Sequence, residues 1–338
     1  MQKHKQKILV TGGAGYIGSH TIVELIQAGY EVISIDNFSN AQPQVFAHIK
    51  KITGNMVKNY TIDITDMASL HKALAKEKNI TGVIHFAARK SVPESLAHPR
   101  AYYYNNIGSL LNTLEFCREQ GIQQFIFSSS AAVYGTAASP VTETAPFGKP
   151  SSPYAATKQL CEKILQSEAT QDSTKAIFAL RYFNPIGAHP TGDLGELPKK
   201  PTGGVVGNMF AATSKKPFQI FGTNYKTRDG SAVRDYVHVV DIARAHVLAL
   251  TSLRKSTAKK FEAINLGTGK GVTVFELVHA FEHARGTPLP KKIGKRRKGD
   301  LPALFASNKK AKKVLMWQPV FSADEALAHE VQWRKKHL

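Results

Sequence analysis

Lys7-Ile8-Leu9-Val10-Thr11-Gly12-Gly13-Ala14-Gly15-Tyr16-Ile17-Gly18, an amphipathic run, and then Tyr30-Glu31-Val32-Ile33-Ser34-Ile35-Asp36-Asn37 carry the strongest pattern in the chain. Ile8, Leu9 and Val10 form a short apolar run of the kind buried in a parallel sheet. Gly12, Gly15 and Gly18 follow at a spacing of three, and the chain then turns helical. Ile17, Thr21, Leu25 and Ala28 share one helical face, with Ile22 and Ile26 beside them. Gly29 ends that helix, and residues 32–35 make a second strand closing at Asp36.

Strand, glycine turn, helix, strand and acid together describe a dinucleotide site. Glycines let backbone approach a pyrophosphate, and the helix N-terminus offers free N–H groups and positive dipole to it. Asp36 stands 18 residues after Gly18, where a carboxylate accepts hydrogen bonds from ribose hydroxyls and repels a 2′-phosphate. The expected cofactor is NAD rather than NADP. A bare glycine triplet also suits unrelated α/β turns; the flanking strands and the acid narrow the reading.

Outward from this unit the chain alternates. Residues 43–51 read as a helix and 57–63 as a strand ending in an acid, with Asp63 and Ile64 placed to meet an adenine. Residues 66–78 read as a helix capped by Asp66. Residues 82–88 read as a buried strand whose end, Phe86-Ala87-Ala88, admits a cofactor closely, with His85 as a core histidine. A long helix over 102–120 and a strand over 124–128 follow. Alternation of this kind predicts an α/β Rossmann fold, a doubly wound parallel sheet. The expected division is a NAD-binding domain over 1–181 and a smaller C-terminal α/β substrate lobe over 182–338, with some interleaving. In the second part, 190–207 is a long loop closing over substrate, and helices cover 241–253, 274–285 and 323–336.

At 338 residues, 42% hydrophobic and 21% charged, the chain has an ordinary globular composition. The N-terminal stretch is basic, but the three apolar residues that follow are too few for a signal-peptide core, and no apolar run spans a membrane. Cys117 and Cys161 lie inside helical patterns without metal-ligand spacing, so they read as buried thiols of a cytoplasmic protein and no metal is expected. The formal charge is +20, and residues 251–338 hold 19 lysines and arginines against 7 acids. Without interleaved aromatics or a recognition motif, this basic lobe reads as a solvated surface rather than a nucleic-acid site.

Ligands of doubly wound sheets collect beyond the C-terminal ends of the strands. There the chain carries Ser128-Ser129-Ser130-Ala131-Ala132-Val133-Tyr134-Gly135, and later Ser152-Pro153-Tyr154-Ala155-Ala156-Thr157-Lys158. Pro153 suits the first turn of a helix, which places Tyr154 and Lys158 on one face, a turn apart. A free tyrosine, with a pKa of about 10, is a poor base at neutral pH. An adjacent ammonium favours the phenolate. With a serine at the strand end completing a relay, the pair removes a proton from an alcohol while a nicotinamide oxidises the same carbon.

With these motifs the chain resembles the extended short-chain dehydrogenase/reductase superfamily and, within it, the UDP-glucose 4-epimerase family, over nearly all its length. The resemblance rests on the glycine turn, His85-Phe86-Ala87-Ala88, the serine strand, Ser152-Pro153-Tyr154, Leu180-Arg181-Tyr182-Phe183-Asn184-Pro185-Ile186-Gly187-Ala188-His189-Pro190, Val233-Arg234-Asp235-Tyr236-Val237-His238-Val239 and Arg296-Arg297-Lys298-Gly299-Asp300-Leu301-Pro302. It implies Tyr154 as base and acid, Lys158 tuning it and holding the nicotinamide ribose, and Ser130 relaying the proton. It further implies interconversion of UDP-galactose and UDP-glucose through a transient 4-keto sugar, with hydride passing to and from tightly bound NAD. NAD contacts are expected at Gly12, Gly15, Tyr16, Ile17, Gly18, Asp36, Asn37, Asp63, Ile64, Phe86, Ala87, Ala88, Lys90, Asn105, Ser128, Tyr154, Lys158 and Tyr182. UDP-sugar contacts are expected at Lys90, Ser130, Tyr154, Phe183, Asn184, Arg234, Arg297, Asp300 and Leu304. Two arginines facing a diphosphate is also the physical expectation. The long helices over 102–120 and 154–166 resemble those that pair between family subunits, implying a homodimer.

Two positions depart from the family. Gly203-Gly204-Val205 stands where Asn-Asn-Leu usually contacts UDP, and Leu304 stands where a bulky tyrosine in some members excludes N-acetylated sugars. The second departure implies that UDP-N-acetylgalactosamine and UDP-N-acetylglucosamine are also accepted. Dehydratases and decarboxylating relatives need an acid after the serine strand, where this chain has Ala131 and Ala132. A 4-epimerase of another nucleotide sugar, a pentose or uronate, is the alternative. An NAD-sensing nucleic-acid-binding regulator has no need of Ser130, Tyr154 and Lys158.

Overall fold

A computed structural model describes residues 6–199, 203–255, 260–297 and 300–338. Most of the basic N-terminal stretch, part of the 190–207 loop, and Lys298 and Gly299 of the arginine motif lie outside the described residues. The strands are β1 (Lys7–Thr11), β2 (Glu31–Ile35), β3 (Lys58–Tyr60), β4 (Ile80–His85), β5 (Gln124–Ser130), β6 (Ala176–Tyr182) and β7 (Asn184–Ile186). They continue with β8 (Phe218–Phe221), β9 (Val233–Arg234), β10 (Tyr236–His238), β11 (Phe261–Leu266), β12 (Val272–Thr273), β13 (Lys291–Gly294) and β14 (Ala303–Leu304). The helices are α1 (Tyr16–Gln27), α2 (Val45–Thr53), α3 (Met67–Leu74), α4 (Val92–Ala97), α5 (Pro99–Glu119) and α6 (Pro153–Gln171). They continue with α7 (Val205–Phe210), α8 (Val239–Lys255), α9 (Val274–Arg285), α10 (Lys309–Leu315) and α11 (Ala323–His337).

Seven strands form the main sheet in the order β11-β6-β5-β4-β1-β2-β3, all parallel. Chain order reverses between β1 and β4, and a crevice at such a switch point is where nucleotides sit. The period of two in the strands divides the core. Ile8, Val10, Ile84, Ile126 and Leu180 face α1, α2 and α8, while Leu9, Val83, Phe125, Phe127 and Ala179 face α3, α5 and α6. A third cluster, including Met209, Ile220, Tyr236, Leu277, Phe281 and Leu327, fills the smaller lobe.

The elements follow the sequence pattern with shifted ends: the helix expected over 66–78 is Met67–Leu74, the strand over 82–88 is Ile80–His85, and the helix over 102–120 is Pro99–Glu119. Ala28, expected on the buried face of α1, is exposed, because the last turn clears the sheet before Gly29 (φ +89) turns the chain. Burial on α1 instead spreads around Ser19, His20 and Val23, because α8 packs along it. The strand expected over 57–63 is only Lys58–Tyr60, since its partner β2 ends at Ile35, opposite Tyr60. Residues beyond 182 also build the main sheet: α8 covers it and β11 extends it.

Several histidines are locked into this interior in neutral form. His85 is hydrogen-bonded to Thr11 (2.9 Å) and Thr113 (3.3 Å), and burial pushes it down to about 3. His246 bonds the Ile242 carbonyl (2.8 Å) and the Tyr182 hydroxyl (2.7 Å), and burial lowers it to about 4. His20, against the Tyr16 carbonyl at 2.7 Å, is lowered to about 4 by burial, and His238 to about 3. The unfolded chain takes up these protons near pH 6.5 and the folded chain only near pH 3–4. Stability is therefore complete above about pH 6.5 and is lost as pH falls toward 4. Urea midpoints of the apo protein should drop between pH 7 and pH 5, and the drop should be shallower in His246→Gln; equal slopes in the two proteins would contradict this assignment.

Candidate active site

The glycine turn forms because nothing larger fits. Gly12 has φ +71, and a Cβ on it would stand 2.8 Å from the Ala87 amide at the end of β4. Its N–H donates to the Ile35 carbonyl (2.7 Å), and Gly15 N–H donates back to Gly12 (3.1 Å). Helix α1 starts at Tyr16 with Gly15 at its cap and no side chain bonding its first turn. Open N–H groups at a helix start, in the crevice between β1 and β4, suit a pyrophosphate. Asp36 closes the turn, accepting from Ala14 N (3.0 Å) and Phe38 N (2.9 Å). Burial raises its carboxyl and these two bonds pull it back. The residues present thus fit a dinucleotide with a free ribose 2′-hydroxyl.

Around this turn, Phe86 N and Ala87 N donate to the carbonyl (3.0 Å) and hydroxyl (3.3 Å) of Thr11, and Ala88 follows at the same strand end. Asn37 Nδ2 reaches Asp63 Oδ2 at 3.4 Å, and the buried Ile64 accepts from Asn112 (3.0 Å), so these three lie together beyond β2 and β3. Ile17 and Gly18 continue the first turn of α1. Asn105 bonds its neighbour Asn106 (3.0 Å) on α5. Lys90 pairs with Glu196 at 2.8 Å, 5.8 Å from the Tyr16 ring centroid, while the Tyr16 hydroxyl donates to the Gly187 carbonyl. Lys90 thereby links the cofactor crevice to the second lobe.

The residues expected to carry the chemistry meet at the end of β5. Ser152 caps α6 by accepting from Ala155 N (3.2 Å), and Pro153 occupies the first turn. Tyr154 and Lys158 then face the strand end together, with the ammonium 5.9 Å from the Tyr154 ring centroid. Lys158 Nζ donates to the Ser128 carbonyl at 2.6 Å and lies 4.7 Å from the Phe127 ring centroid. Burial lowers Lys158 to about 8. Burial raises the Tyr154 phenol, and its hydrogen bond with Ser130 pulls it down. Tyr182, from β6, donates to His246 and is pushed far up by burial.

On the substrate side the arrangement is tighter than the sequence suggested. Arg234 and Asp300 form an ion pair with each other, and Arg234 also donates to the Leu301 carbonyl at 3.0 Å. Arg297 lies flat over Phe221, 3.9 Å from its centroid. Leu304 pairs in register with Arg234 and packs with Phe183 and Tyr134. Asn184 N donates to the Asp235 carbonyl at 2.9 Å, which starts β7 beside β10. Gly203 has φ +67 and Gly204 caps α7, so Gly203-Gly204-Val205 makes a helix start without side-chain reach.

Sequence reading missed the buried polar groups behind these residues. Asp235, fully buried, accepts from Thr268 N (2.7 Å), Thr268 Oγ1 (2.7 Å) and Ala306 N (2.9 Å), fixing the strands on either side of Arg234. Glu162 and Arg181 form a buried ion pair behind the serine strand. One signal was available: Glu162 continues the Tyr154–Lys158 row by another turn.

The model of the NAD dependent epimerase/dehydratase family matches residues 8–267. The UDP-glucose 4-epimerase of Bacillus subtilis is 42% identical, the match covering 98% of this chain and 97% of that protein. The crystal structure of UDP-glucose 4-epimerase from Bifidobacterium longum in complex with NAD+ and UDP superposes with a TM-score of 0.91 at 41% identity, covering 98% of this chain and 99% of that one. A Stenotrophomonas maltophila UDP-glucose 4-epimerase with bound NAD and formylated UDP-arabinopyranose superposes with a TM-score of 0.89 at 39% identity, covering 98% of each chain.

Burying the Lys158 ammonium has a measurable sign. Its folded pKa of about 8 lies below the ordinary lysine value of 10.5, so the folded chain binds fewer protons between those values and this group's contribution to stability rises with pH there. Lys158→Met should therefore unfold at a higher temperature than the wild type at pH 7, the advantage shrinking as pH approaches 10. A variant that is less stable at pH 7 would show that the ammonium's contacts outweigh its desolvation.

Proposed function

The chain belongs to the NAD dependent epimerase/dehydratase family, and we propose that it interconverts UDP-galactose and UDP-glucose by inversion at C4. The observation that carries the reading is the convergence of Tyr154, Lys158 and Ser130 at one strand end beside the glycine turn. NAD, when bound, supplies a reversible two-electron oxidant for C4. Gly12 and the open start of α1 would hold its pyrophosphate, and Asp36 its adenosine ribose. Lys158 would reach its nicotinamide ribose.

Tyr154 removes the proton from the sugar O4, directly or through Ser130, as C4 becomes a ketone. The Lys158 ammonium stabilises the phenolate that accepts this proton, offsetting the burial that raises the phenol. The 4-keto sugar turns about its diphosphate linkage, and Tyr154 returns the proton to the opposite configuration. Ala131 and Ala132 bring no acid to C5 or C6, so elimination and decarboxylation have no proton acceptor. Arg234 and Arg297 bind the diphosphate, which requires Arg234 to exchange Asp300 for phosphate oxygens. Asn184 and Phe183 line the sugar and nucleotide.

Leu304, packed against the cluster of Tyr134 and Phe183, is smaller than the tyrosine that excludes N-acetylated sugars, so the reading extends to N-acetylated hexoses. The pentose-nucleotide ligand of the Stenotrophomonas relative favours a UDP-pentose as the second candidate substrate. Leu96 on α4, Tyr104 and Leu111 on α5 and Leu160 on α6 are exposed apolar side chains, the surface for a second copy of the chain. Cys117 and Cys161 are buried free thiols, in keeping with a cytoplasmic enzyme, and among the described residues no helix is long and apolar enough to cross a membrane. The basic charge is assigned to solvated surface, not to nucleic acid.

Purified protein given UDP-galactose and no added NAD should yield UDP-glucose and release about one NAD per chain on denaturation. Tyr154→Phe should lower kcat by roughly 10²–10⁴-fold. Parallel assays with UDP-N-acetylgalactosamine and UDP-arabinopyranose rank the substrates. No turnover, together with a salt-sensitive nucleic-acid mobility shift, would replace the enzyme by a sensor.

A further inference from the structure

Tyr154, Lys158 and Glu162 stand at i, i+4 and i+8 of α6, one row facing the end of β5. Two of them engage serines of that strand directly. Tyr154 starts the row on the side of Ser130, Lys158 donates to the Ser128 carbonyl, and Ser129 Oγ donates to Glu162 Oε1. Arg181, the register partner of Ser129 on β6, donates to Glu162 through Nε (2.9 and 3.2 Å) and Nη2 (2.5 Å). Its remaining nitrogen, Nη1, donates to the Tyr134 hydroxyl (2.7 Å), which donates to Asn265 Oδ1 (2.6 Å). Tyr134 ends the short 3₁₀ turn that starts directly after Ser130. Gln159 ties the same turn to α6 by donating to the Val133 and Gly148 carbonyls at 2.9 and 2.7 Å.

One buried ion pair thus holds the residue before Ser130 and the turn after it, from the helix that carries Tyr154. Such pairs add little net stability over apolar residues of the same shape. Their charge-assisted, bidentate bonds do fix direction in a low dielectric. Ser130 Oγ also accepts from Ala132 N at 3.2 Å, so its hydroxyl direction depends on where this turn sits. We propose that Glu162, acting through Ser129 and Arg181, is a positioning residue that sets where the Ser130 hydroxyl stands relative to Tyr154, without touching substrate. The inference rests on the C4 epimerisation proposed above.

Ser129→Ala tests it, because the substitution uncouples the strand while leaving the Glu162–Arg181 pair intact. Expected are a kcat about tenfold lower, a KM for UDP-galactose within about twofold of wild type, and a kcat–pH limb for Tyr154 moved to higher pH. Ser129→Thr should recover both kcat and the limb, and Glu162→Gln should shift the limb further. Tyrosinate absorbance, taken as wild type minus Tyr154→Phe, should report the same upward move in Ser129→Ala without turnover. A Ser129→Ala enzyme with wild-type kcat and pH limb would overturn the proposal. So would a lower kcat that tracks a lower melting temperature with the limb unmoved. If the wild type fails to turn over UDP-galactose, the functional reading falls, and the tyrosinate titration still decides the positioning role.

Discussion

An ammonium group buried at the end of a parallel sheet is the constraint around which the rest of the molecule is arranged. Lys158 cannot be solvated where it stands, so its surroundings must replace water. The Ser128 carbonyl accepts a hydrogen bond from it, the Phe127 ring lies within cation–π reach, and the Glu162 carboxylate is one turn further along α6. These partners exist only if β5 extends to Ser130 and α6 starts at Pro153. The cap at Ser152 and the pairing of β5 with β6 guarantee both. The depressed pKa that results leaves a cation whose neighbouring carboxylate, Glu162, is committed to Arg181. Its field is therefore available to the phenol beside it.

The first lobe was largely legible because its signals are local. Three glycines, an acid at the next strand end, and apolar runs with period two need no long-range knowledge, and the Tyr154–Lys158 spacing works through a single helix turn. The parts that were not legible depend on contacts across the chain. Nothing near Arg181 reveals that it meets Glu162 rather than solvent, since a lone arginine in Ala176–Tyr182 reads equally well as a strand end. Nothing near Asp235 announces that its carboxylate gathers amides from 268 and 306. The burial of the far side of α1 depended on α8, which arrives more than 200 residues later.

The substrate lobe shows a different economy. Its strands are two to four residues long, and its order comes from buried hydrogen bonds as much as from sheet pairing. Arg234 and Asp300 neutralise each other across β9 and the segment before β14, and Arg297 rests on an aromatic face. In the proposed function, charges held in this way turn to a diphosphate at the cost of breaking partly exposed pairs, which are worth little in water. Cationic side chains kept in place by weak partners suit a site that must bind and release an anion repeatedly.

The edge strand Phe261–Leu266 has a consequence for how the protein is made. The sheet is parallel, so each strand waits for a crossover, and the last position beside β6 is filled only when residue 266 of 338 has been translated. Until then the nascent chain presents β6, apolar over Ile177–Leu180, as an unpaired edge, and α1 lacks the cover of α8. Synthesis therefore cannot bank a finished N-terminal domain. The chain folds as a late, cooperative whole, with an interval of exposed edge in which chaperone capture competes with aggregation.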